Sequence, residues 1–201
     1  PRVAAATVAV GPAAGDEIVE LCRGASALGI DAPDAPTGGC PLPGIRPARC
    51  AEVALAASAH GLDRRMVGGP LRMLTPSIGA PFPARLEWMK AGFALWGQLR
   101  LHLDGVHLFE TWPSGTFTRL AAGAERPVRL LPRSSPGGVA QRARLLSAVV
   151  DGPPFLDLWG LDGLDALAAA LAAYRVATGG GYVVAAHDHV AHDGSSITLV
   201  R

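Results

Sequence analysis

Apolar and polar residues along this chain follow two rhythms, one helical and one strand-like. The longest helical stretch covers residues 161–178, a Leu/Ala-rich run closed by Gly179-Gly180-Gly181, a helix stop signal. Its side chains are small, so the pattern predicts a helix that packs very close to a sheet. Residues 84–103 predict a second helix, with Leu86, Met89, Phe93, Trp96, Leu99 and Leu103 at near-helical spacing. That aromatic and Met stripe reads as core rather than as a cofactor site. Shorter helices are predicted at 16–23, 48–60, 113–122 and 137–150, with Pro113 suited to a first helical turn. Strands are predicted at 2–10, at an apolar run ending on Asp31, at 106–110 ending on Glu110, and in a closing hairpin at 182–189 and 196–200. The opening order, strand-helix-strand, implies a crossover into a parallel pair. Long Pro/Gly-rich stretches at 32–47 and 61–83 separate the early elements.

Two predicted strands therefore end on a carboxylate, Asp31 and Glu110. In open α/β sheets, ligands bind in the crevice outside the strand ends. Asp31 before Ala32-Pro33 is also ordinary turn chemistry. Asp162 and Asp165 open the long helix; Asp162 as N-cap with Asp165 three residues on resembles a capping arrangement and suits the helix dipole. Each acid taken singly reads as structural. Acids brought together from separate elements would instead suit Mg²⁺ or Mn²⁺, which prefer oxygen ligands.

Composition narrows the field. The 201 residues fit a single α/β domain with a real core, since 49% of the chain is apolar and only 17% charged. No apolar run is long enough to span a bilayer, and no secretory signal opens the chain. Cys22, Cys40 and Cys50 form no Cys-x-x-Cys pair, so a reduced, cytoplasmic protein is expected. A net charge of +1 gives no global pull on nucleic acid. A local group of arginines does stand out: Arg126, Arg129, Arg133, Arg142 and Arg144, offset by Glu125. Arginine matches phosphate bidentately, so this group reads either as a nucleic-acid backbone patch or as a solvated helix face. His187, His189 and His192 lie in a run that superficially resembles a zinc-hydrolase motif, but Ala191 stands where that pattern needs Asp. A solvated hairpin turn is the better reading of those histidines. No Walker or dinucleotide fingerprint and no nucleophile elbow is present.

Three segments in order carry a resemblance: 28–33 (Leu-Gly-Ile-Asp-Ala-Pro), 109–114 (Phe-Glu-Thr-Trp-Pro-Ser) and 164–170 (Leu-Asp-Ala-Leu-Ala-Ala-Ala). They are similar to the three motifs of a bacterial and archaeal family of RNase H-like nucleases, domain of unknown function 429. Arg49-Cys50, residues 74–79 and Gly92-Phe93 match its intermediate landmarks, so the resemblance covers about residues 5–200. It implies an RNase H-like mixed sheet flanked by helices and metal-dependent phosphodiester hydrolysis. Asp31, Glu110 and Asp165 would be the catalytic metal ligands, with Asp162 beside them and Mg²⁺ or Mn²⁺ as cofactor. The family's usual first strand carries another Asp, and residues 3–10 contain no acid. Either the sequence is truncated, or it is an N-terminally shortened member that has lost a ligand and is impaired. A non-catalytic scaffold that pairs with another copy through an exposed sheet edge is the alternative.

Overall fold

The computed structural model describes residues 14–32, 88–150, 160–185 and 196–200. The strand expected at 2–10, the helix at 48–60, the segments 33–47 and 61–83, and His187, His189 and His192 lie outside them.

Five helices and four strands make up the described chain: α1 (Ala14–Cys22), β1 (Ala27–Ile30), α2 (Trp88–His102), β2 (His107–Glu110), α3 (Pro113–Gly123), α4 (Pro136–Ser147), α5 (Leu161–Ala177), β3 (Gly181–Ala185) and β4 (Ser196–Val200). The architecture is mixed α/β. Strands β1 and β2 run parallel, with Ile30 opposite Glu110, so both end at the same edge. Strands β3 and β4 pair antiparallel, as the hairpin pattern predicts.

The pleat of β1 and β2 sorts side chains between two cores. Leu28, Ile30 and Leu108 join Val19 of α1 and Trp96 and Leu99 of α2 in one apolar cluster. Gly29 faces the other way, onto α5. A Cβ built on Gly29 would lie 2.1 Å from the carbonyl oxygen of Ala169. Helix α5 thus approaches β1 more closely than any side chain there would permit, which is the geometric use of its alanines. It is covered nearly all round, as expected of a central helix. Its Leu164, Leu167 and Leu171 build the second core with Phe117 of α3 and Ala143 and Leu146 of α4. The same helix also packs on β3 and β4.

The ends of α4 and α5 differ in how they are held. Ser135 caps α4 by accepting a 3.0 Å hydrogen bond from the Gly138 N–H, with Pro136 in the first turn. The N-cap of α5 is Gly160, without a side-chain bond. Asp162 is therefore not the cap that its spacing to Asp165 suggests. It lies in the first turn, where the helix dipole still favours an acid.

Candidate functional site

The parallel register brings the C-terminal ends of β1 and β2 together, and α5 crosses them. The Thr111 N–H donates to the Ile30 carbonyl at 2.9 Å, carrying the ladder one step past the strands. On the other side of Asp31, Ala32 is clamped by α2. The Trp96 indole N–H donates to its carbonyl at 3.0 Å. Gly92 leaves room for its methyl group, which a Cβ at 92 would meet at 2.7 Å. Asp31 is thus fixed between a core residue and a clamped one.

Asp31 stands exposed at this edge, yet its carboxyl is pushed up to about 7. The surrounding protein mass is the largest cause, followed by the charge of Asp165; Asp162 adds a smaller push and Arg133 opposes it. Water reaches the side chain while the body of the protein crowds it. Asp165 is buried, with 4% of its surface accessible, and burial pushes its carboxyl up as well. Arg133 opposes that shift by charge and by a direct hydrogen bond, and Arg142 opposes it by charge. Arg133 and Asp165 form an ion pair, with the guanidinium half in solvent.

Strand alternation separates Glu110 from this pair. It follows Leu108 on the α1/α2 face and is buried there. Continued one residue past β1, the same alternation sets Asp31 with Gly29 on the α5 face. The structure therefore brings Asp31, Asp165 and Asp162 within electrostatic reach of one another, and sends the Glu110 Cβ off the opposite face. Among the described residues, no three His, Cys, Asp or Glu side chains gather in a group able to hold a metal ion.

The five arginines also divide. Arg126, Arg129, Arg133 and Arg144 are exposed. Arg142 is buried, with its guanidinium 5.4 Å from the centre of the Phe117 ring. It donates to the carbonyls of Gly138 at 3.0 Å and Leu131 at 3.3 Å. Burial pulls its pKa below the ordinary arginine value, and such a group still stays charged. Its chemistry is directed inward, not to a surface phosphate. The sequence carried that signal: Val139, Arg142, Ala143 and Leu146 share one face of α4.

Two further residues join the site. Gln141 clips the loop before α4, donating to the Arg129 carbonyl at 2.9 Å and accepting from the Leu131 N–H at 2.8 Å. Thr111 lies on the α5 face, its methyl group 3.1 Å from where a Gly29 Cβ would be. Its hydroxyl is buried without a hydrogen-bond partner, an arrangement that calls for an explanation.

Chemically, then, the edge is a pair of hard oxygen donors on separate elements, with a third acid nearby and a guanidinium already paired to one of them. Residues 85–190 match the family described as Protein of unknown function (DUF429). The chain belongs to that family. The matched stretch contains Glu110, Asp162, Asp165 and all five arginines, and Asp31 precedes it. No curated protein and no solved structure matches the chain. Among the described residues, no helix is long and apolar enough to cross a membrane.

Proposed function

We propose that this chain is an RNase H-like, divalent-cation-dependent phosphodiesterase acting on nucleic acid. The observation that carries the reading is the forced proximity of Asp31 and Asp165, one from a strand end and one from the helix crossing it. Asp165 makes Asp31 harder to ionise, an arrangement that a bound cation would relieve. The donor set suits a hard ion: two carboxylates, with the unpartnered Thr111 hydroxyl on the same face. Mg²⁺ commonly keeps several waters and takes only one or two protein carboxylates, so a two-acid site fits it. Such an ion supplies an activated water and charge stabilisation for phosphodiester hydrolysis. The chain's own part is to hold Asp31 by the Ala32 clamp, to hold Asp165 on α5, and to present Arg126, Arg129, Arg133 and Arg144 to phosphates. Glu110, on the opposite face, has no assigned part in this scheme.

The test is calorimetric titration of Mn²⁺ into the wild type, Asp31→Asn and Asp165→Asn, followed by cleavage assays on RNA and on single-stranded and branched DNA. Each substitution is expected to weaken Mn²⁺ binding at least tenfold, about 1.4 kcal/mol. Unchanged heats in both variants, or no binding in any of the three chains, refute the reading. A second reading, a non-catalytic interaction protein on the same fold, rests on the Arg133–Asp165 pair. That pair neutralises the acid with no cation needed. Wild-type protein that binds no Mn²⁺ and elutes as a defined dimer in light scattering would favour it.

A further inference from the structure

Arg133 reaches a buried acid from an exposed loop, and the loop around it is unusually well held. Gln141 fixes the backbone at Arg129 and Leu131. Arg142 holds the Leu131 carbonyl. Both the hydroxyl and the N–H of Ser135 donate to the Pro132 carbonyl, at 2.8 and 3.1 Å. Helix α4 abuts the same carbonyl so closely that a Cβ on Gly138 would lie 2.0 Å from it. The soft part of this arrangement is the Arg133 side chain itself, half in water at one end and paired to Asp165 at the other.

We propose that Arg133 is a built-in counter-ion that competes with a divalent cation for Asp165 and must swing outward for the cation to bind. This rests on the cation reading given above and adds to it a residue that opposes binding rather than assisting it. A singly charged guanidinium in a fixed loop satisfies the buried carboxylate when no metal is present. Displacing it requires an ion that attracts Asp165 and Asp31 together, which favours doubly charged ions over single charges. Arg142 remains as a second positive charge acting on Asp165 when Arg133 leaves, so the acid is not stranded. Arg133 thereby sets the cation concentration at which the site fills.

The sign of one substitution tests this. Mn²⁺ is titrated calorimetrically into full-length wild type, Arg133→Gln and Arg133→Lys, with Arg23→Gln, an exposed arginine on the α1 side, as a control for net charge. Circular dichroism confirms that each variant is folded. The expected result is about tenfold tighter Mn²⁺ binding by Arg133→Gln, with Arg133→Lys between it and the wild type and Arg23→Gln unchanged. Equal or weaker binding by Arg133→Gln overturns the counter-ion role and leaves the cation reading standing. An equal gain in Arg23→Gln also overturns it, since bulk charge alone would then explain the effect. No binding in any chain overturns the cation reading and this inference with it.

Discussion

Replacing Gly29 by alanine puts a methyl group where the α5 backbone already is. The new carbon would sit 2.1 Å from the Ala169 oxygen and 2.6 Å from its carbonyl carbon. An ordinary carbon–oxygen contact is about 3.3 Å, so α5 must retreat by about 1 Å. Neither obstructing atom is a side chain that can rotate away. Both belong to a helix packed on opposite sides by the α3/α4 core and by β1. Overpacking of this kind costs ~1–3 kcal/mol, and rigid backbone puts this site at the upper end. Relief of glycine's entropy cost in a strand returns ~0.5–1 kcal/mol. The net loss is about 2 kcal/mol, or about 4–8 °C in Tm for a chain this size. Moving α5 outward also carries Asp165 away from Asp31. The Asp31 carboxyl should then titrate below about 7, since the push from Asp165 weakens while burial remains the larger cause. Urea unfolding measures the first effect and carboxyl-carbon NMR titration of Asp31 the second. A Gly29→Ala protein within ~0.5 kcal/mol of wild type, with an unmoved Asp31 titration, would show that the β1–α5 contact is not what brings the acids together.

Two other outcomes follow from the same geometry. Asp31 holds its proton more tightly in the folded chain, at about 7, than at its ordinary 3.8. Unfolding between those values releases a proton, so wild-type stability should fall as pH rises from about 4 to about 7 and level off above. Asp31→Asn should make that slope shallower, the raised Asp165 carboxyl keeping its own share, and be the more stable protein at about pH 8, as read from urea midpoints; parallel profiles would contradict the assignment. Arg142→Leu should cost about 2–3 kcal/mol, because the Leu131 and Gly138 carbonyls lose a charged donor. The exposed Arg144→Leu should stay within ~0.5 kcal/mol, and equal losses in thermal unfolding would deny Arg142 its structural role.

Local elements were legible in the sequence because each is written in neighbouring residues. The helix read at 161–178 is observed at Leu161–Ala177, and the strand read at 106–110 at His107–Glu110. The hairpin strand at 196–200 is observed as Ser196–Val200, and the small-residue reading of the long helix is borne out at Gly29. Asp31 and Asp165, read as strand-end and helix acids, lie on separate elements with Asp165 in electrostatic reach of Asp31. What the sequence hid is which face each acid takes. Glu110 and Asp31 each end a strand in the same motif style, yet Glu110 stands opposite Ile30 rather than Asp31. That one-residue offset decides the face, and only the register reveals it. The partner of Asp165 was hidden for a different reason. Five arginines of equal local appearance precede it, and the one that reaches it is selected by a loop held through Gln141 and Arg142.

Asp31 belongs to a strand whose apolar face is part of the α1/α2 core, whereas Asp165 belongs to the helix at the centre of the α3/α4 core. The two acids therefore exist as a pair only while the two cores stay docked along β1 and α5. Anything that grips both carboxylates at once also rivets this seam. By mass action it must raise the free energy needed to part the two halves by as much as it gains from finding them together. Slow amide exchange spreading from α5 into β1 when ligand is added would be the visible trace of that tie. The same seam would be the first to open in a chain stripped of it.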